Sequence, residues 1–349
     1  MHITDLDTPA LLIDIDQVKR NLHRWQKFCD QWGFKNRPHI KTHKIPELAH
    51  LQMEYGAVGI TCQKVSEAEV MADAGITDIF LTFNIVGKLK LSRLRELHQR
   101  IRMRVVADSQ EVVEGLNEAA MGTGKPLEVC VECDTGMHRC GVGSPLEAVK
   151  LAEFVRSRKH LQWSGFSTYP TTDAALIFMD EGIRICENRG LKIEEISGGG
   201  TPGMWKLPEY RGFTEHRAGT YIFNDRITVS GGEAALEDCA LSVLVSVTST
   251  SGSDWVTVDG GTKTFSSDQY GQTGFGVVQN DPTCLLTRCS EEHGVLQKGE
   301  TKPSFALGEK LRIIPNHACV VSNLHDMAFV VSGEEVVGQW NIAARGKLQ

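Results

Sequence analysis

Residues 127–168 read LEVCVECDTGMHRCGVGSPLEAVKLAEFVRSRKHLQWSGFST, and this stretch contains the repeating unit that decides the fold. Leu127–Cys133 is a short apolar run rich in β-forming residues, Ser144–Arg158 has helical periodicity, and Trp163–Thr168 is a second β-rich run. A strand, a helix and a strand at this spacing predict a βαβ unit, whose two strands lie parallel in one sheet.

The same alternation extends in both directions, from Ala10 to about Phe223, with further helical segments at Val65–Ala74, Lys88–Gln99 and Asp173–Asn188. A closed (β/α)8 barrel needs eight strands, and the chain offers one candidate more, so either the first or the last candidate is peripheral. The candidate strands are Ala10–Ile15, Pro38–Lys41, Ala57–Cys62, Ile79–Phe83, Met103–Ala107, Leu127–Cys133, Trp163–Thr168, Ile193–Ser197 and Arg217–Phe223.

After about Val229 the pattern changes to β-branched runs separated by turn residues, which predicts a second, all-β domain. These runs are Leu241–Thr250, Trp255–Asp259, Lys310–Ile314 and Ala328–Val331. The sequence SGGE at residues 230–233 is the best linker candidate, because two glycines in a polar context leave the backbone loose. We therefore predict a TIM-like (β/α)8 barrel over residues 8–229, followed by a mostly antiparallel β-domain over residues 230–349, to which residues 1–7 belong.

The bulk properties of the chain exclude several classes of protein. The 349 residues carry a net charge of −7, which gives no basic surface for nucleic acid. Met1–Asp7 lacks the pattern of a secretory signal, and no run approaches the roughly 18 apolar residues of a membrane span. We expect a cytoplasmic protein whose ten cysteines are reduced thiols rather than a disulfide framework.

The motif RPHIKTHK at residues 37–44 places a lysine at the carboxyl end of a predicted barrel strand. Active sites of such barrels lie at that end. Alternation along the strand points Lys41, rather than Lys44, to one defined face, and Arg37 and His43 would supply positive charge that lowers its pKa. On spacing alone, a basic surface loop explains the same residues equally well.

The motif SGGGTP at residues 197–202 directly follows another candidate strand. Consecutive glycines let backbone N–H groups converge on an anion, and the Ser and Thr hydroxyls add donors, so the loop suits a phosphate. A second glycine turn, AGTY at residues 218–221, is placed to close the same site. The alternative is a glycine-rich turn that binds nothing.

The motif DTGMHRCG at residues 134–141 follows the strand Leu127–Cys133. Its Arg139 lies in a glycine-flanked loop at the predicted barrel mouth, where a guanidinium that stays charged can hold an acidic oxygen of a ligand. An ordinary connection between a strand and a helix would have the same appearance.

The motif PNHAC at residues 315–319 places His317 and Cys319 two residues apart on a predicted strand, so that both face the same side. Imidazole and thiolate are both zinc ligands, and substrate or water would fill the remaining positions. A buried histidine beside a core cysteine is the plainer interpretation.

Taken together, these four motifs resemble the D-threonine aldolase and D-serine dehydratase family of alanine-racemase-like, fold-type III pyridoxal-phosphate enzymes. The resemblance extends from DTPA at residues 7–10 to ARG at residues 344–346, with the motifs in the family's order. It implies that the N-terminal strand joins the second domain. It also implies a homodimer whose active site forms where the barrel of one subunit meets the β-domain of another.

The resemblance assigns roles to particular residues. It implies that Lys41 carries the cofactor as a Schiff base, that Arg139 contacts the phenolic oxygen of the cofactor, and that His317 and Cys319 bind a divalent metal, zinc or manganese. Lys41, His43 and Tyr169 are the predicted catalytic residues. The residues predicted to contact the cofactor besides Lys41 and Arg139 are Tyr169, Ser197, Gly199, Gly200, Thr201, Gly219, Thr220 and Tyr221.

The implied activity is a lyase reaction on small D-3-hydroxy amino acids, and the favoured form is retro-aldol cleavage of D-threonine-like substrates to glycine and an aldehyde. A dehydratase that releases ammonia, a racemase that uses Tyr270, and a non-catalytic pyridoxal-phosphate homeostasis protein are the alternatives. Many aldolases of the family carry a Tyr-His pair where this chain has STYP at residues 167–170. The second catalytic base therefore stays open among Tyr169, His39, His43 and His138.

Overall fold

The computed structural model of the chain describes residues 1–300 and 303–349. Those residues divide into two compact units, each discontinuous along the chain. The β-rich unit comprises Met1–Trp25, Thr42–Glu47 and Thr220–Gly346, and the barrel unit comprises Gln26–Lys41, Leu48–Gly219 and Lys347–Gln349. The predicted domain limits at residues 229 and 230 stay a prediction.

The first strand, β1 (Ala10–Asp14), pairs within the sheet of the β-rich unit and takes no part in the parallel sheet. The first of the candidate strands is therefore the peripheral one.

The barrel unit contains a sheet of eight parallel strands. The strands are β2 (Lys35–Asn36), β3 (Ile60–Cys62), β4 (Asp78–Leu81), β5 (Arg102–Ala107), β6 (Leu127–Cys133), β7 (Leu161–Thr168), β8 (Glu195–Gly199) and β9 (Glu215–Arg217). Their order in the sheet is β2-β9-β8-β7-β6-β5-β4-β3, and a parallel bridge between His39 and Thr61 closes the end at β2 onto β3. The predicted TIM-like barrel is thereby confirmed.

Three of the helices between these strands begin at a residue whose side chain caps them. Ser109, Ser144 and Thr172 each accept a hydrogen bond from the backbone N–H three residues on, which satisfies a donor that the first turn leaves open. The helices up to the end of the barrel are α1 (Ile15–Trp32), α2 (Pro46–Glu54), α3 (Val65–Asp73), α4 (Lys88–Arg100), α5 (Gln110–Ala120), α6 (Pro145–Arg156) and α7 (Asp173–Asn188).

The interior of the barrel contains a charged network as well as apolar side chains. Glu215 is fully buried, and its carboxylate accepts hydrogen bonds from Arg37 at 2.6 Å and Arg104 at 3.1 Å. Burial alone would raise the pKa of Glu215, but the two guanidinium groups outweigh it and hold the pKa at about 2. The carboxylate is therefore the counter-ion of two buried arginines.

The β-rich unit contains the second sheet, in which six antiparallel strands close into a small barrel in the order β10-β11-β14-β13-β12-β15 and back to β10. Strand β1 pairs with β10, and β16 and β17 extend the sheet beyond it. The predicted β-domain is confirmed. Its remaining strands are β10 (Leu241–Ser249), β11 (Trp255–Val258), β12 (Gly276–Val278), β13 (Asp281–Cys289), β14 (Gly294–Gln297), β15 (Lys310–Pro315), β16 (Met327–Ser332) and β17 (Glu335–Asn341), and its helices are α8 (Arg226–Gly231), α9 (Thr262–Phe265) and α10 (Ala318–Leu324).

Three local predictions were wrong. The predicted strand Pro38–Lys41 is not a strand, because β2 ends at Asn36 and Lys41 lies in a 3-10 turn, Ile40–Thr42. The predicted strand at Arg217–Phe223 ends at Arg217. The expected loose linker at residues 230–233 is the end of α8, where Gly232 adopts φ +83° and closes the helix.

Within the described ranges, no helix combines the length and the apolar character that crossing a membrane requires.

Candidate active site

Three predicted site residues meet beyond the carboxyl ends of the barrel strands. Lys41 lies in the turn that follows β2, Arg139 lies in the loop after β6, and Tyr169 directly follows β7. The Lys41 Nζ atom lies 5.8 Å from the centroid of the Tyr169 ring, and the Arg139 guanidinium carbon lies 5.2 Å from the same centroid. Both cations therefore contact one aromatic ring.

The glycine motif packs against that ring. A Cβ atom added to Gly199 would lie 3.3 Å from Cδ2 of Tyr169, and one added to Gly200 would lie 3.2 Å from Cε2. Gly200 also adopts φ +112°, which favours glycine. We call this arrangement the glycine cradle. The Tyr169 ring forms one side of it, and the backbone of Gly199 and Gly200 forms its base.

A hydroxyl in this cradle is available to an anion. Among the residues that the structure describes, Thr201 Oγ1 is buried without a hydrogen-bond partner. A buried hydroxyl normally has a partner, and a bound phosphate oxygen would supply one. The orphaned hydroxyl and the bare glycine backbone beside Lys41 fit the phosphate of a pyridoxal cofactor.

Ser197 belongs to the interior of the barrel instead. Its hydroxyl donates to Glu215 at 2.7 Å and accepts from Arg217 at 2.5 Å. The Arg217 guanidinium also donates to the Thr168 carbonyl at 2.9 Å. Since its oxygen already has two partners below the cradle, this position favours a supporting role for Ser197 over a contact with phosphate.

A hydrogen-bond relay supports the turn that carries Lys41. The Lys41 backbone N–H donates to Nδ1 of His39 at 3.3 Å, so the ring proton of His39 is on Nε2. That nitrogen lies 3.0 Å from Oε1 of Gln63, whose amide nitrogen donates to the Thr82 carbonyl at 3.0 Å. Gln63 was absent from the sequence prediction, because nothing local marks it.

The groups expected to lower the pKa of Lys41 have partners of their own. Arg37 is paired with Asp78 and Glu215 inside the barrel, so its charge is already neutralised. His43 is fully buried in the β-rich unit, where its Nδ1 accepts from the Ile45 N–H at 3.0 Å. Alternation along a strand was therefore the wrong reason for choosing Lys41, since the residue lies in a turn.

The second glycine turn divides into residues with different surroundings. Gly219 is buried, and Thr220 starts a 3-10 turn with its Oγ1 3.9 Å from the Cys319 sulfur. Tyr221 is buried with its ring 6.0 Å from that of Trp25. Thr220 thus lies beside the predicted metal pair, and Tyr221 is part of a hydrophobic core.

His317 and Cys319 lie at the start of a helix rather than on the predicted strand, because β15 ends at Pro315 and His317 is the N-cap of α10. Their side chains still meet through a hydrogen bond. Burial alone would lower the pKa of His317, but Cys319 and Asp225 outweigh it and raise the pKa to about 10. The sulfur and the carboxylate thus favour positive charge at His317.

Within the residues that the structure describes, no three histidine, cysteine, aspartate or glutamate side chains are grouped to hold a metal ion. The pair His317 and Cys319 has instead a carboxylate behind it, since Asp225 Oδ2 lies 2.9 Å from Nδ1 of His317. Metal-binding histidines characteristically make this contact through the nitrogen that is not bound to the metal. An imidazole and a thiolate with open positions fit a divalent ion that also binds substrate or water.

Two other tyrosine and histidine candidates lie at more exposed positions. The Tyr270 ring centroid lies 4.9 Å from that of His317, and its hydroxyl donates to Asp268 at 3.3 Å. Burial and the Asp268 carboxylate raise the pKa of Tyr270 to about 12. His138 is largely exposed, and its Nδ1 lies 3.1 Å from the Asp134 carboxylate.

Comparison with protein families gives two matches that together span most of the chain. The family described as "Alanine racemase, N-terminal domain" matches residues 13–226. A serine dehydratase domain matches residues 240–331.

Two curated relatives match along nearly their whole length. The D-threonine aldolase of Arthrobacter sp. is 32% identical, over 98% of this chain and 93% of the relative. The D-threo-3-hydroxyaspartate dehydratase of Delftia sp. (strain HT23) is 33% identical, over 90% of this chain and 91% of the relative.

Two solved structures similar to this chain are of proteins named for the same two activities. The D-threonine aldolase from Filomicrobium marinum superposes with a TM-score of 0.92 at 32% identity, covering 99% of this chain and 98% of the other. A cysteine-to-alanine variant of D-threo-3-hydroxyaspartate dehydratase, solved in a metal-free form, has a TM-score of 0.84 at 29% identity and covers 98% of each chain. A companion variant replaces the histidine two positions before that cysteine.

Proposed function

The chain belongs to the alanine-racemase-like family of D-threonine aldolases and D-serine dehydratases, and from this premise we propose that it cleaves D-3-hydroxy amino acids by a retro-aldol reaction. Its relatives are lyases, and the chain is a lyase of the same kind. The observation that carries the proposal is the meeting of Lys41 and Arg139 on the ring of Tyr169, beside a glycine cradle with an orphaned Thr201 hydroxyl.

Pyridoxal phosphate is the cofactor of this family, and we assign a residue of this chain to each of its parts. Lys41 would bind its aldehyde carbon, and Arg139 would hold its phenolic oxygen. Thr201, Gly219 and the backbone at Gly199 and Gly200 would hold its phosphate. The contact from Thr220 rests on the family resemblance alone. When bound, the cofactor supplies an electron sink for the pair released at Cα of the substrate.

Tyr169 is the second base that the geometry favours. Each histidine candidate already has a ring nitrogen committed to the protein: His39 to the Lys41 turn, His43 to the Ile45 N–H, and His138 to Asp134. Tyr169 lies beside Lys41 and is partly exposed, so its hydroxyl can reach a substrate. We assign it removal of the proton from the β-hydroxyl, which lets the Cα–Cβ bond break.

His317 and Cys319 would hold the divalent metal. A thiolate ligand favours zinc over manganese, because manganese prefers carboxylate, carbonyl and water oxygens. When bound, the metal supplies a Lewis acid that lowers the pKa of a coordinated hydroxyl. The buried Asp225 carboxylate behind His317 supports this assignment.

Dehydration is the second candidate reaction, and Cys319 favours it. The dehydratase variants replace a histidine and a cysteine with the spacing of His317 and Cys319, and the cysteine variant was obtained without metal. In this reaction Lys41 would take the proton from Cα and hydroxide would leave Cβ, so that the product hydrolyses to a keto acid and ammonia. The same residues serve both reactions.

A product assay tests the proposal. Protein reconstituted with pyridoxal phosphate and zinc is incubated with D-threonine and with D-threo-3-hydroxyaspartate. Glycine with an aldehyde product is the expected outcome, while ammonia with a keto acid would replace the retro-aldol assignment by dehydration. No product from either substrate would refute the lyase proposal.

The attachment of the cofactor is tested separately by borohydride reduction. Lys41→Ala is expected to lose the reducible adduct and at least about a thousandfold in kcat. Lys44→Arg is the matched control, because Lys44 is buried with its Nζ near the Ala344 carbonyl. An adduct that persists in Lys41→Ala, or disappears in Lys44→Arg, would move the attachment site to another lysine.

The assembly state and the location of the protein are also proposals. We infer a homodimer from the family resemblance, and light scattering at micromolar concentration measures it directly. A cytoplasmic location stays a prediction.

A further inference from the structure

Asp225 is a completely buried carboxylate that accepts three N–H hydrogen bonds. Its Oδ2 accepts from Nδ1 of His317 and from the Ala318 backbone N–H, both at 2.9 Å. Its Oδ1 accepts from the Thr228 backbone N–H at 3.0 Å, as the N-cap of α8. One side chain thus connects the start of α8 to the start of α10.

The contact with His317 determines which ring nitrogen is available. A carboxylate only accepts hydrogen bonds, so Nδ1 of His317 carries the proton. Nε2 is then the nitrogen left to bind a metal, which it can do once it releases its proton. Without the carboxylate, the ring would sample both tautomers and a wider range of orientations.

The contact with Ala318 acts on the second ligand. Ala318 is the first residue of α10, and Cys319 follows it in the first turn. By accepting the Ala318 N–H, Asp225 fixes the direction in which α10 starts, and with it the position of the Cys319 side chain.

We propose that Asp225 is a positioning residue that holds His317 in its Nδ1-protonated tautomer and sets the start of α10, so that His317 and Cys319 bind one zinc ion. The inference rests on the proposed function, because it assumes that this pair is the metal site. Residues that hydrogen-bond to a metal ligand in this way typically contribute about 10- to 100-fold in metal affinity, because they fix the tautomer and the orientation of the ligand.

The test measures the dissociation constant for Zn²⁺ by competition with a chromophoric chelator. Asp225→Asn keeps the shape of the side chain but removes its charge. Asp225→Ser keeps a good N-cap for α8, because serine accepts the same type of N–H bond, but its short side chain does not extend to His317. Both variants are expected to bind zinc at least about tenfold more weakly, with unchanged affinity for pyridoxal phosphate.

Thr228→Val is the matched structural control. It removes the hydroxyl that accepts the Asp225 backbone N–H at 2.8 Å and leaves the carboxylate contacts in place. We expect a lower melting temperature and an unchanged zinc affinity. A loss of zinc affinity equal to that of Asp225→Ser would assign the effect to the helix cap and overturn the inference.

The tautomer gives a readout that a purely structural role would not change. In protein labelled with ¹⁵N-histidine, the resonances absent from His317→Ala belong to His317, and they should show an Nδ1–H in a strong hydrogen bond to a carboxylate that is weakened in Asp225→Asn. Unaltered zinc affinity in Asp225→Asn and Asp225→Ser would refute the positioning role of Asp225 but not the metal site. Unaltered zinc affinity in His317→Ala and Cys319→Ala would instead refute the metal site of the proposed function.

Discussion

The Nζ atom of Lys41 lies 5.8 Å from the ring centroid of Tyr169. The same ring contacts the Arg139 guanidinium, and a methyl group added at Gly199 or Gly200 would lie only 3.3 or 3.2 Å from it. Tyr169 therefore combines two separable features: a ring that shapes the cradle and a hydroxyl that we propose as the base.

Substitution of Tyr169 separates these features. Tyr169→Phe keeps the ring, so the affinity for pyridoxal phosphate should change little, while kcat falls by about 10²- to 10⁴-fold, the usual contribution of a positioned acid or base. Tyr169→Ala also removes the wall of the cradle, and cofactor affinity should drop on the order of tenfold. Absorbance titration and steady-state kinetics measure the two effects. Full kcat in the phenylalanine variant would exclude the hydroxyl as the base.

The glycine cradle gives a second prediction. Gly200→Ala places a methyl group 3.2 Å from the Tyr169 ring at a backbone φ of +112°, so both packing and backbone are strained. Strain of this type costs about 1–3 kcal/mol, and we expect cofactor affinity to fall about tenfold or more. Gly143→Ala is the control, because no atom lies within 4 Å of the added methyl. Equal cofactor affinity in the two variants would show that the cradle does not bind the phosphate.

The bounds of a strand or helix can be predicted from the sequence when the interactions that determine them are local in the chain. The bounds of β6 and α7 agree with the predicted Leu127–Cys133 and Asp173–Asn188, because hydrophobic periodicity is strong in both and Thr172 caps the helix. Strand β2 has two residues, too few to show any periodicity, so its position and the turn at Lys41 were misjudged.

The partners of the residues that support the site could not be predicted from the sequence, for a different reason. Asp225 lies 92 positions from His317, and Arg37 lies 178 positions from Glu215. Nothing in the local pattern around these residues specifies such partners, which only the closed sheets bring together. Motif resemblance found the residues expected to touch a ligand, and the structure was needed to find those that hold them in place.

The relay behind Lys41 gives a third prediction. Gln63→Leu removes the acceptor for His39 Nε2 and leaves a buried N–H without a partner, at a cost of about 1–3 kcal/mol. The turn that carries Lys41 should loosen, so that cofactor is lost about tenfold faster in dialysis. Gln63→Glu keeps an acceptor for the same nitrogen and serves as the control. If Gln63→Leu retained cofactor as long as the unaltered protein, the relay would have no part in holding Lys41.

The buried charges of the barrel predict two separate pH windows for stability. Burial lowers the pKa of His216 to about 4, and its Nε2 donates to the Gly200 carbonyl at 2.7 Å. An unfolded histidine titrates near 6.5, so this contribution is complete above about pH 6.5 and is lost as the pH falls towards 4. Glu215 has its pKa lowered to about 2, so its contribution is complete above about pH 4.3 and is lost as the pH falls towards 2.

Chemical denaturation between pH 8 and pH 2.5 measures both windows. Each proton taken up on unfolding adds a slope of up to about 1.4 kcal/mol per pH unit to the free energy of unfolding. His216→Gln can still donate to the Gly200 carbonyl, and it should flatten the curve between about pH 6.5 and 4 while leaving the lower window unchanged. Glu215→Gln should flatten the lower window and cost about 3–5 kcal/mol at neutral pH, because Arg37 and Arg104 lose their buried counter-ion. A lower window that survives in Glu215→Gln would mean that another carboxylate governs acid stability.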